Sequence, residues 1–271
     1  MKKILSLVFV LCCMQALAQT SYKTVENVPY RQDGDAYARE RCVLDIYYPE
    51  GLDDFATVVW FHGGGIIEGQ KEIPSELKDS RLAVVAANYR LLPKVDVRET
   101  VDDAAAAVAW VFAHIAEYGG SPDKIFVSGH SAGGYLTDMI VLDKHYLEKY
   151  GVDADRIAGA FPFSAQVVTH YNVRKESGIG PLDPVIDDTA PLFHMRKLPM
   201  PLFVLSGDRE LELYGRYEEQ AYFWRMMKLH GNDQVYLYEF DGYDHGTMPD
   251  PAFNVMKRQI RTILSGRPIR R

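Results

Sequence analysis

Short apolar runs alternate with stretches of helical periodicity along most of the chain. Helices are predicted over residues 99–118, from Ser131 onward, and over 217–230, where Gly231 ends the last helix. Alternating strands and helices indicate an α/β fold, with a mostly parallel sheet of about eight strands and helices on both faces. The apolar runs that predict strands are residues 43–48, 57–61, 82–87, 125–128, 157–163, 202–205 and 235–240.

Residues 164–200 interrupt this alternation. The segment contains four prolines and two glycines, Pro181, Pro184, Pro191, Pro199, Gly178 and Gly180. Loops of this length are uncommon unless they have a role. We therefore predict an insertion that forms a partial lid over one edge of the sheet, and a long surface loop is the alternative.

The N-terminal residues have the pattern of a secretory signal. Lys2 and Lys3 precede an apolar run over Ile4–Cys13, and Ala16-Leu17-Ala18 provides small residues at a cleavage site. The run is shorter than the ~20 residues that span a bilayer. We expect residues 1–18 to be a cleaved signal peptide, and the alternative is a leader that is lipidated at a cysteine. The protein is then secreted or periplasmic, without stable membrane insertion, and residues 19–271 form a single domain.

Composition narrows the class of partner. The 271 residues carry a formal net charge of −7, whereas nucleic-acid binding requires a basic face. We therefore expect no nucleic-acid partner. Cys42 is the one cysteine left after residues 1–18 are removed, so no intrachain disulfide can form. Its apolar surroundings favour a core position over a nucleophile.

Gly129-His130-Ser131-Ala132-Gly133 matches the Gly-x-Ser-x-Gly pattern of a nucleophile elbow. It follows a predicted strand and precedes a predicted helix, which is the context that this pattern requires. The turn between strand and helix is so sharp that bulky side chains two positions before and after the serine would collide. Ser131 is therefore the predicted nucleophile of a serine hydrolase.

A glycine run, His62-Gly63-Gly64-Gly65, follows the predicted strand 57–61. Acyl transfer develops negative charge on the carbonyl oxygen, and this oxyanion needs N–H groups that already point at it. Glycines let the backbone approach closely. We assign the oxyanion hole to the backbone N–H groups of Gly64, Gly65 and Ala132, with Gly63 as an alternative for one loop position.

The general base and the acid that orients it are expected after the last two predicted strands, because the chain order in this arrangement is serine, acid, histidine. His245 follows the last strand and is the predicted base. Two carboxylates in the preceding loop compete for the third position, Asp208 and Glu210. Glu212 is a more distant third.

Together these motifs resemble those of the hormone-sensitive-lipase-like carboxylesterases of the α/β-hydrolase superfamily. The chain is also similar to bacterial acetyl-xylan and feruloyl-type esterases. The resemblance covers roughly residues 40–250. The segments that carry it are His62-Gly63-Gly64-Gly65 with Gly69, Asn88-Tyr89-Arg90-Leu91 with Pro93, Asp103-Ala104 with Trp110, Ser121-Pro122-Asp123-Lys124-Ile125, and Gly129-His130-Ser131-Ala132-Gly133-Gly134.

The resemblance implies a Ser-acid-His triad, a glycine oxyanion hole, no metal and no organic cofactor. Polysaccharide-esterase relatives often have Gly-Asp-x-Asp in the acid loop with the second acid catalytic, and Glu210 occupies that second position. The resemblance therefore favours Glu210 as the acid. The chain departs from the family in having glutamate at this position, so Asp208 stays the alternative acid. It also has Ile66 and Ile67 where a bulky aromatic often follows the glycines, so substrate preference does not transfer.

The expected function is a secreted serine esterase that cleaves short acyl or acetyl esters through an acyl-enzyme. Its substrate is a small-molecule or carbohydrate ester. A formamidase or small-amide hydrolase would use the same triad and is one alternative. The other is a non-catalytic binding protein of the same fold, since a fold does not dictate function. Ser131 and His245 are both present, which favours an enzyme.

Overall fold

The computed structural model describes residues 20–269. The expected signal peptide, residues 1–18, lies outside the described residues. The helices and strands follow in the order β1 (Tyr22–Pro29), α1 (Ala36–Arg41), β2 (Val43–Pro49), β3 (Phe55–Phe61), β4 (Ala83–Ala87), α2 (Val97–His114), β5 (Gly120–His130), α3 (Ala132–Leu142), α4 (His145–Glu148), β6 (Gly159–Phe163), α5 (Tyr171–Glu176), β7 (Leu202–Gly207), α6 (Arg216–Leu229), β8 (Val235–Phe240) and α7 (Pro249–Leu264).

The strands form one sheet of eight, in the order β1-β2-β4-β3-β5-β6-β7-β8. β1 and β2 pair antiparallel, and so do β2 and β4, whereas the remaining neighbours are parallel. The predicted fold class, a mostly parallel sheet of about eight strands with helices, is confirmed. Every residue of β3 is buried, as expected for a central strand covered on both faces.

Two apolar clusters cover the two faces of the sheet. Alternate residues of β3 point to opposite faces, so that Val59 and Phe61 join one cluster while Val58 and Trp60 join the other. Helices α2, α3 and α6 complete the first cluster, which also contains the buried Cys42. Helix α7 completes the second through Ala252, Phe253, Met256 and Ile260. None of the described helices is long and apolar enough to cross a membrane.

The parallel strands all end at the same edge of the sheet, and loops with candidate chemistry begin there. The glycine run follows β3, Ser131 follows β5, and Ser164 follows β6. The loop with Glu212 follows β7, and the loop with His245 follows β8. Ligands of open α/β sheets bind outside the carboxyl ends of the strands. The topology therefore collects residues that are far apart in sequence into one site.

Residues 164–200 contain α5 and a 3-10 turn over Pro191–His194. The segment contacts the glycine run, because the Asn172 side-chain amide donates to the Gly65 carbonyl at 2.7 Å. It also contacts α3, where the Tyr135 hydroxyl donates to the Thr189 carbonyl at 2.7 Å. The segment thus lies beside the loops that end β3 and β5, and its role as a lid stays a prediction.

Candidate active site

Ser131 lies in a strained turn between β5 and α3. Its φ of 56° and ψ of −111° are rare for a residue with a side chain. The glycines around it are required by close packing. A Cβ on Gly133 would lie 2.0 Å from the Phe61 carbonyl oxygen, and one on Gly129 would lie 2.5 Å from the carbonyl carbon of Gly133. The elbow predicted from the sequence therefore has its steric basis in the contact between β3 and the start of α3.

Ser131, His245 and Glu212 form a continuous chain of hydrogen bonds. The Ser131 Oγ lies 3.0 Å from Nε2 of His245. On the other side of the ring, Nδ1 of His245 lies 2.9 Å from Oε2 of Glu212. With Nδ1 donating to the carboxylate, Nε2 is left free to accept the serine proton. The structure thus brings together the predicted nucleophile and the predicted base.

The prediction that Glu210 or Asp208 orients the histidine is wrong. After β7 the chain makes a helical turn, in which the N–H groups of Leu211 and Glu212 donate to the Asp208 carbonyl at 3.1 and 2.9 Å. This turn directs Glu212 inward and leaves Glu210 exposed. The Glu212 side chain is 1% exposed, and its carboxylate lies 2.9 Å from Nδ1 of His245.

Asp208 has a different task, which is to connect the two loops. Its carboxylate accepts the N–H of Glu210 at 2.8 Å in its own loop and the N–H of Gly242 at 2.7 Å in the loop that carries His245. These backbone hydrogen bonds lower the pKa of Asp208. Asp208 therefore braces the loops that position Glu212 and His245 instead of contacting the histidine.

The environment of Glu212 favours its ionised form. Burial alone raises the pKa of this carboxyl, but hydrogen bonds from His245 and Ser164 outweigh it and lower the pKa from 4.5 to about 2. The N–H groups of Gly207 and Leu213 add hydrogen bonds at 3.2 and 3.0 Å. Glu212 is thus a carboxylate at every pH near neutral, as a group that stabilises an imidazolium must be.

Ser164 is a fourth member of this network that the sequence did not suggest. Its hydroxyl lies 2.5 Å from Oε1 of Glu212 and 2.8 Å from Nδ1 of His245. With a protonated Nδ1, the hydroxyl accepts from His245 and donates to Glu212. Neither Ser164 nor Glu212 stands in a recognisable motif. Their common signal is position, since each follows the carboxyl end of a parallel strand.

Ala132, one of the predicted oxyanion donors, directly follows Ser131, and the glycine run approaches the same turn through Gly63. Gly63 is in contact with the elbow, because a Cβ placed on it would lie 3.6 Å from the Ser131 Cβ. Gly64 and Gly65 have φ values of +105° and +60°, which glycine adopts at little cost. Within residues 20–269, no acceptor is found for the N–H groups of Gly63, Gly64, Gly65 or Ala132. Donors without partners beside a nucleophile suit a developing oxyanion.

Two further histidines support the loops. One ring nitrogen of His130, the residue before the nucleophile, donates to the His245 carbonyl at 2.9 Å. Burial, assisted by the neighbouring His245, lowers the pKa of His130 to about 4. His62 is buried, and its ring stacks on Tyr89 with the ring centres 4.3 Å apart. Both side chains are neutral near pH 7 and hold backbone in place.

Metal ligands are not grouped in the described part of the chain. Among residues 20–269, no cluster of three or more His, Cys, Asp or Glu side chains is arranged to hold a metal ion.

The chain is similar in sequence and in structure to several known proteins. Residues 44–172 match the model of the BD-FAE family. Over 210 residues the chain is 30% identical to "Probable carboxylic ester hydrolase LipM" of Mycobacterium tuberculosis, a match that covers 66% of this chain and 48% of that protein. It is 28% identical over 194 residues to "Probable isoprenylcysteine alpha-carbonyl methylesterase ICMEL1" of Arabidopsis thaliana, covering 69% and 38%. The chain thus spans less than half of the length of these two curated relatives.

A solved structure with the same architecture is described as a truncated form of a carbohydrate esterase from gut microbiota. It superposes with a TM-score of 0.75 at 16% identity, covering 92% of this chain and 98% of that one. The chain has the fold of the α/β-hydrolases. The family model and these relatives agree with the resemblance to hormone-sensitive-lipase-like esterases. The fold also explains why Ser131, Glu212 and His245 come from loops after three parallel strands, β5, β7 and β8.

Proposed function

We propose that this protein cleaves carboxylic esters through an acyl-enzyme on Ser131. The observation that supports the proposal most strongly is the hydrogen-bonded chain from Ser131 through His245 to Glu212, with distances of 3.0 and 2.9 Å. A nucleophile, a base and an orienting acid within hydrogen-bond reach are the requirements of nucleophilic acyl transfer.

In the first half of the reaction, His245 Nε2 takes the proton of Ser131 as the oxygen attacks the ester carbonyl. Glu212 stabilises the imidazolium that forms. The carbonyl oxygen becomes an oxyanion, which accepts hydrogen bonds from Ala132 and from two N–H groups of the glycine run. His245 then protonates the leaving alcohol, and the acyl group stays on Ser131 as an ester.

In the second half, water replaces the alcohol. His245 removes a proton from the water as it attacks the acyl-enzyme, and the same N–H groups stabilise the second oxyanion. The proton returns to Ser131 as the carboxylic acid leaves. Removing one oxyanion donor typically raises the barrier by ~3 kcal/mol.

The direct test is hydrolysis of p-nitrophenyl acetate, butyrate and octanoate by the wild type and by Ser131→Ala. The proposal expects turnover by the wild type alone, together with labelling of the wild type, but not of the variant, by a fluorophosphonate. A variant that retains full activity, or a wild type that reacts with neither esters nor the label, contradicts it.

Short acyl or acetyl esters, including those on carbohydrate, are the proposed substrates. The support is the name of a similarly folded protein, a carbohydrate esterase from gut microbiota. The experiment compares acetylated xylo-oligosaccharides with p-nitrophenyl acetate and follows acetate release. Activity that rises with acyl length from acetate to octanoate contradicts this choice of substrate.

Export from the cytoplasm is also proposed, on the charged and apolar pattern of residues 1–18. N-terminal sequencing of protein recovered outside the cytoplasm should begin at Gln19. Recovery of the intact chain in the cytoplasmic fraction, or a lipidated cysteine at the new N-terminus, contradicts a cleaved secretory signal.

A further inference from the structure

A cavity of ≈ 230 Å³ adjoins the site on the side of residues 164–200. Apolar groups form much of its wall, with the exposed Tyr214 at the rim. Three polar side chains also face it. The lining residues are Gln166, Tyr171, Pro181, Leu213, Tyr214 and Arg216.

Two walls of the cavity are continuous with the catalytic loops. Leu213 and Tyr214 directly follow Glu212, the carboxylate that lies 2.9 Å from His245. On the opposite wall, the Tyr171 hydroxyl lies next to the glycine run, since a Cβ placed on Gly65 would be 2.7 Å from it. A group in this cavity therefore belongs to a substrate whose ester lies at Ser131.

Arg216, the first residue of α6, is the unusual lining residue. It is 4% exposed, and its guanidinium donates to the Ser164 carbonyl. Within residues 20–269 no other acceptor is found for its five N–H groups, and no carboxylate oxygen lies within 4.0 Å of its nitrogens. Buried charges are ordinarily paired, because taking an unpaired charge out of water is costly. A buried charged donor that lines a cavity without a carboxylate partner among the described residues indicates an anionic ligand.

The carboxylates of Glu219 and Glu212 act on the charge of Arg216 from a distance, but neither forms an ion pair with it. Arg174 is also buried nearby and donates to the carbonyls of Asp183 and Pro181. The carboxylate of Glu219 accepts from the Val167 N–H at 3.3 Å and from Gln166 at 3.5 Å instead of pairing with Arg216. Glu212 is engaged by His245, as described above. Among the described residues that line the cavity, Arg216 is the one charged side chain.

Burial also affects the titratable groups around Arg216. It lowers the pKa of His170 to about 3, with help from the positive charges of Arg216 and Arg174, so this imidazole is neutral. Burial raises the pKa of Glu219, which the charge of Arg216 partly offsets. An added anion would relieve the repulsion between the two arginines.

We propose that this cavity binds a carboxylate of the substrate through Arg216, so that the enzyme prefers esters which carry a negative charge on their acyl or alcohol part. This inference rests on the proposed ester hydrolase function. A carboxylate fits the planar fork of a guanidinium through two parallel hydrogen bonds. The apolar walls formed by Leu213, Tyr214 and Pro181 would hold the carbon chain or ring between the carboxylate and the ester.

The test compares charged and neutral esters of matched size. Mono-p-nitrophenyl glutarate against p-nitrophenyl pentanoate places the charge on the acyl part, and 4-carboxyphenyl acetate against 4-carbamoylphenyl acetate places it on the alcohol part. After subtraction of the uncatalysed rates, the charged member of one pair should have a kcat/KM about ten- to a hundredfold higher. The pair that shows the preference identifies the part of the substrate that enters the cavity.

Arg216→Gln should lower kcat/KM for the charged ester about ten- to a hundredfold more than for its neutral partner, and so abolish the preference. The matched control is Arg225→Gln, which removes an exposed arginine from the same helix and should keep the preference. Arg216→Lys retains the positive charge but lacks the planar fork of the guanidinium, so it should keep part of the preference for the charged ester. If Arg216→Gln fails to fold, the comparison of the two ester pairs with the wild type still tests whether a charged ester is preferred.

Binding without turnover separates this inference from the proposed function. Glutarate should raise the melting temperature of Ser131→Ala, and pentanamide should not. If glutarate binds but no ester is cleaved by the wild type, the cavity assignment stands and the esterase proposal fails. If neutral esters are cleaved, yet neither charged pair is preferred and glutarate has no effect, the inference is overturned. An Arg216→Gln variant that slows charged and neutral esters equally also overturns it, because Arg216 then only supports Ser164.

Discussion

The hydroxyl of Ser164 lies 2.5 Å from Oε1 of Glu212, so the acid of the site receives hydrogen bonds on both of its oxygens. Ser164 has a φ of 47°, which is uncommon for a residue with a side chain. Its N–H donates to the Leu205 carbonyl at 2.6 Å and its carbonyl accepts from Arg216, which fixes this conformation. The loops after three adjacent parallel strands, β6, β7 and β8, therefore hold the Glu212 carboxylate in a fixed orientation relative to His245.

Replacement of Glu212 by glutamine should lower kcat about 10⁴-fold. The amide keeps the shape of the side chain but can present its NH₂ to Nδ1, which favours the tautomer that cannot accept the Ser131 proton. Steady-state hydrolysis of p-nitrophenyl acetate measures the change. Glu210→Gln is the matched control and should leave kcat within about twofold, because its side chain is exposed. The opposite ranking of the two variants would return the acid to the position that spacing favoured.

Acid should destabilise the protein partly through Glu212. Its pKa is about 2 in the folded state, compared with 4.5 for an unperturbed glutamate. Since the folded pKa is depressed, the stabilisation is complete above pH ~4.5 and is lost as the pH falls towards 2. The free energy of unfolding of the wild type, relative to Glu212→Gln, should therefore decrease by about 3 kcal/mol between pH 5 and pH 2.

Urea denaturation at a series of pH values measures this difference. Glu210→Gln again serves as the control, and its stability should follow the wild type across the range. Parallel curves for the wild type and Glu212→Gln would mean that the hydrogen bonds of His245 and Ser164 to Glu212 do not contribute to acid stability.

Most of the parallel sheet could be predicted because its strands are buried on both faces. Continuous apolar sequence is then the signal, and β3, β4 and β7 follow it within two residues. β1 was not predicted because it is an edge strand with mostly polar side chains, a register shift between Val25 and Val28, and Asn27 at a φ of 57°. Helix α7 was missed although Ala252, Phe253, Met256 and Ile260 follow helical spacing, so that signal was present in the sequence.

The site could be predicted where a motif encodes backbone geometry. Gly129 and Gly133 are needed sterically, so the motif predicted that Ser131 lies at the turn between β5 and α3. The acid was not, because its place depends on a helical turn after β7 that directs Glu212 inward. No local sequence pattern distinguishes the three carboxylates of that loop. Tertiary contacts with Ser164 and His245 determine which of them becomes the acid.

Ser164→Ala should reduce kcat about ten- to a hundredfold with little change in KM. The hydroxyl contacts Glu212 and His245 but is not in line with the attacking oxygen, so it acts by positioning. A hydrogen bond to a charged group contributes about 1.5–3 kcal/mol, which corresponds to that range of rates.

Ser206→Ala is the matched control for this serine. Its hydroxyl is buried in β7 and has no hydrogen-bond partner among the described residues. Its loss should therefore leave both kcat and KM unchanged. If Ser164→Ala and Ser206→Ala behave alike, the contact of Ser164 with the acid is structural and does not tune the reaction.

Gly133→Ala should destabilise the fold as well as the elbow. A Cβ at this position would lie 2.0 Å from the Phe61 carbonyl oxygen and 2.9 Å from that of His62, and both are backbone atoms that cannot rotate away. Overpacking of this kind costs about 1–3 kcal/mol or more, which lowers the melting temperature of a domain this size by about 2–10 °C. Circular dichroism melting and ester hydrolysis measure the two effects. Gly151→Ala is the control, since nothing lies within 4 Å of its Cβ and its φ of +73° leaves only a strain of about 1 kcal/mol. A Gly133→Ala protein that melts with the wild type and keeps its activity would mean that β3 and α3 can separate without harm to the site.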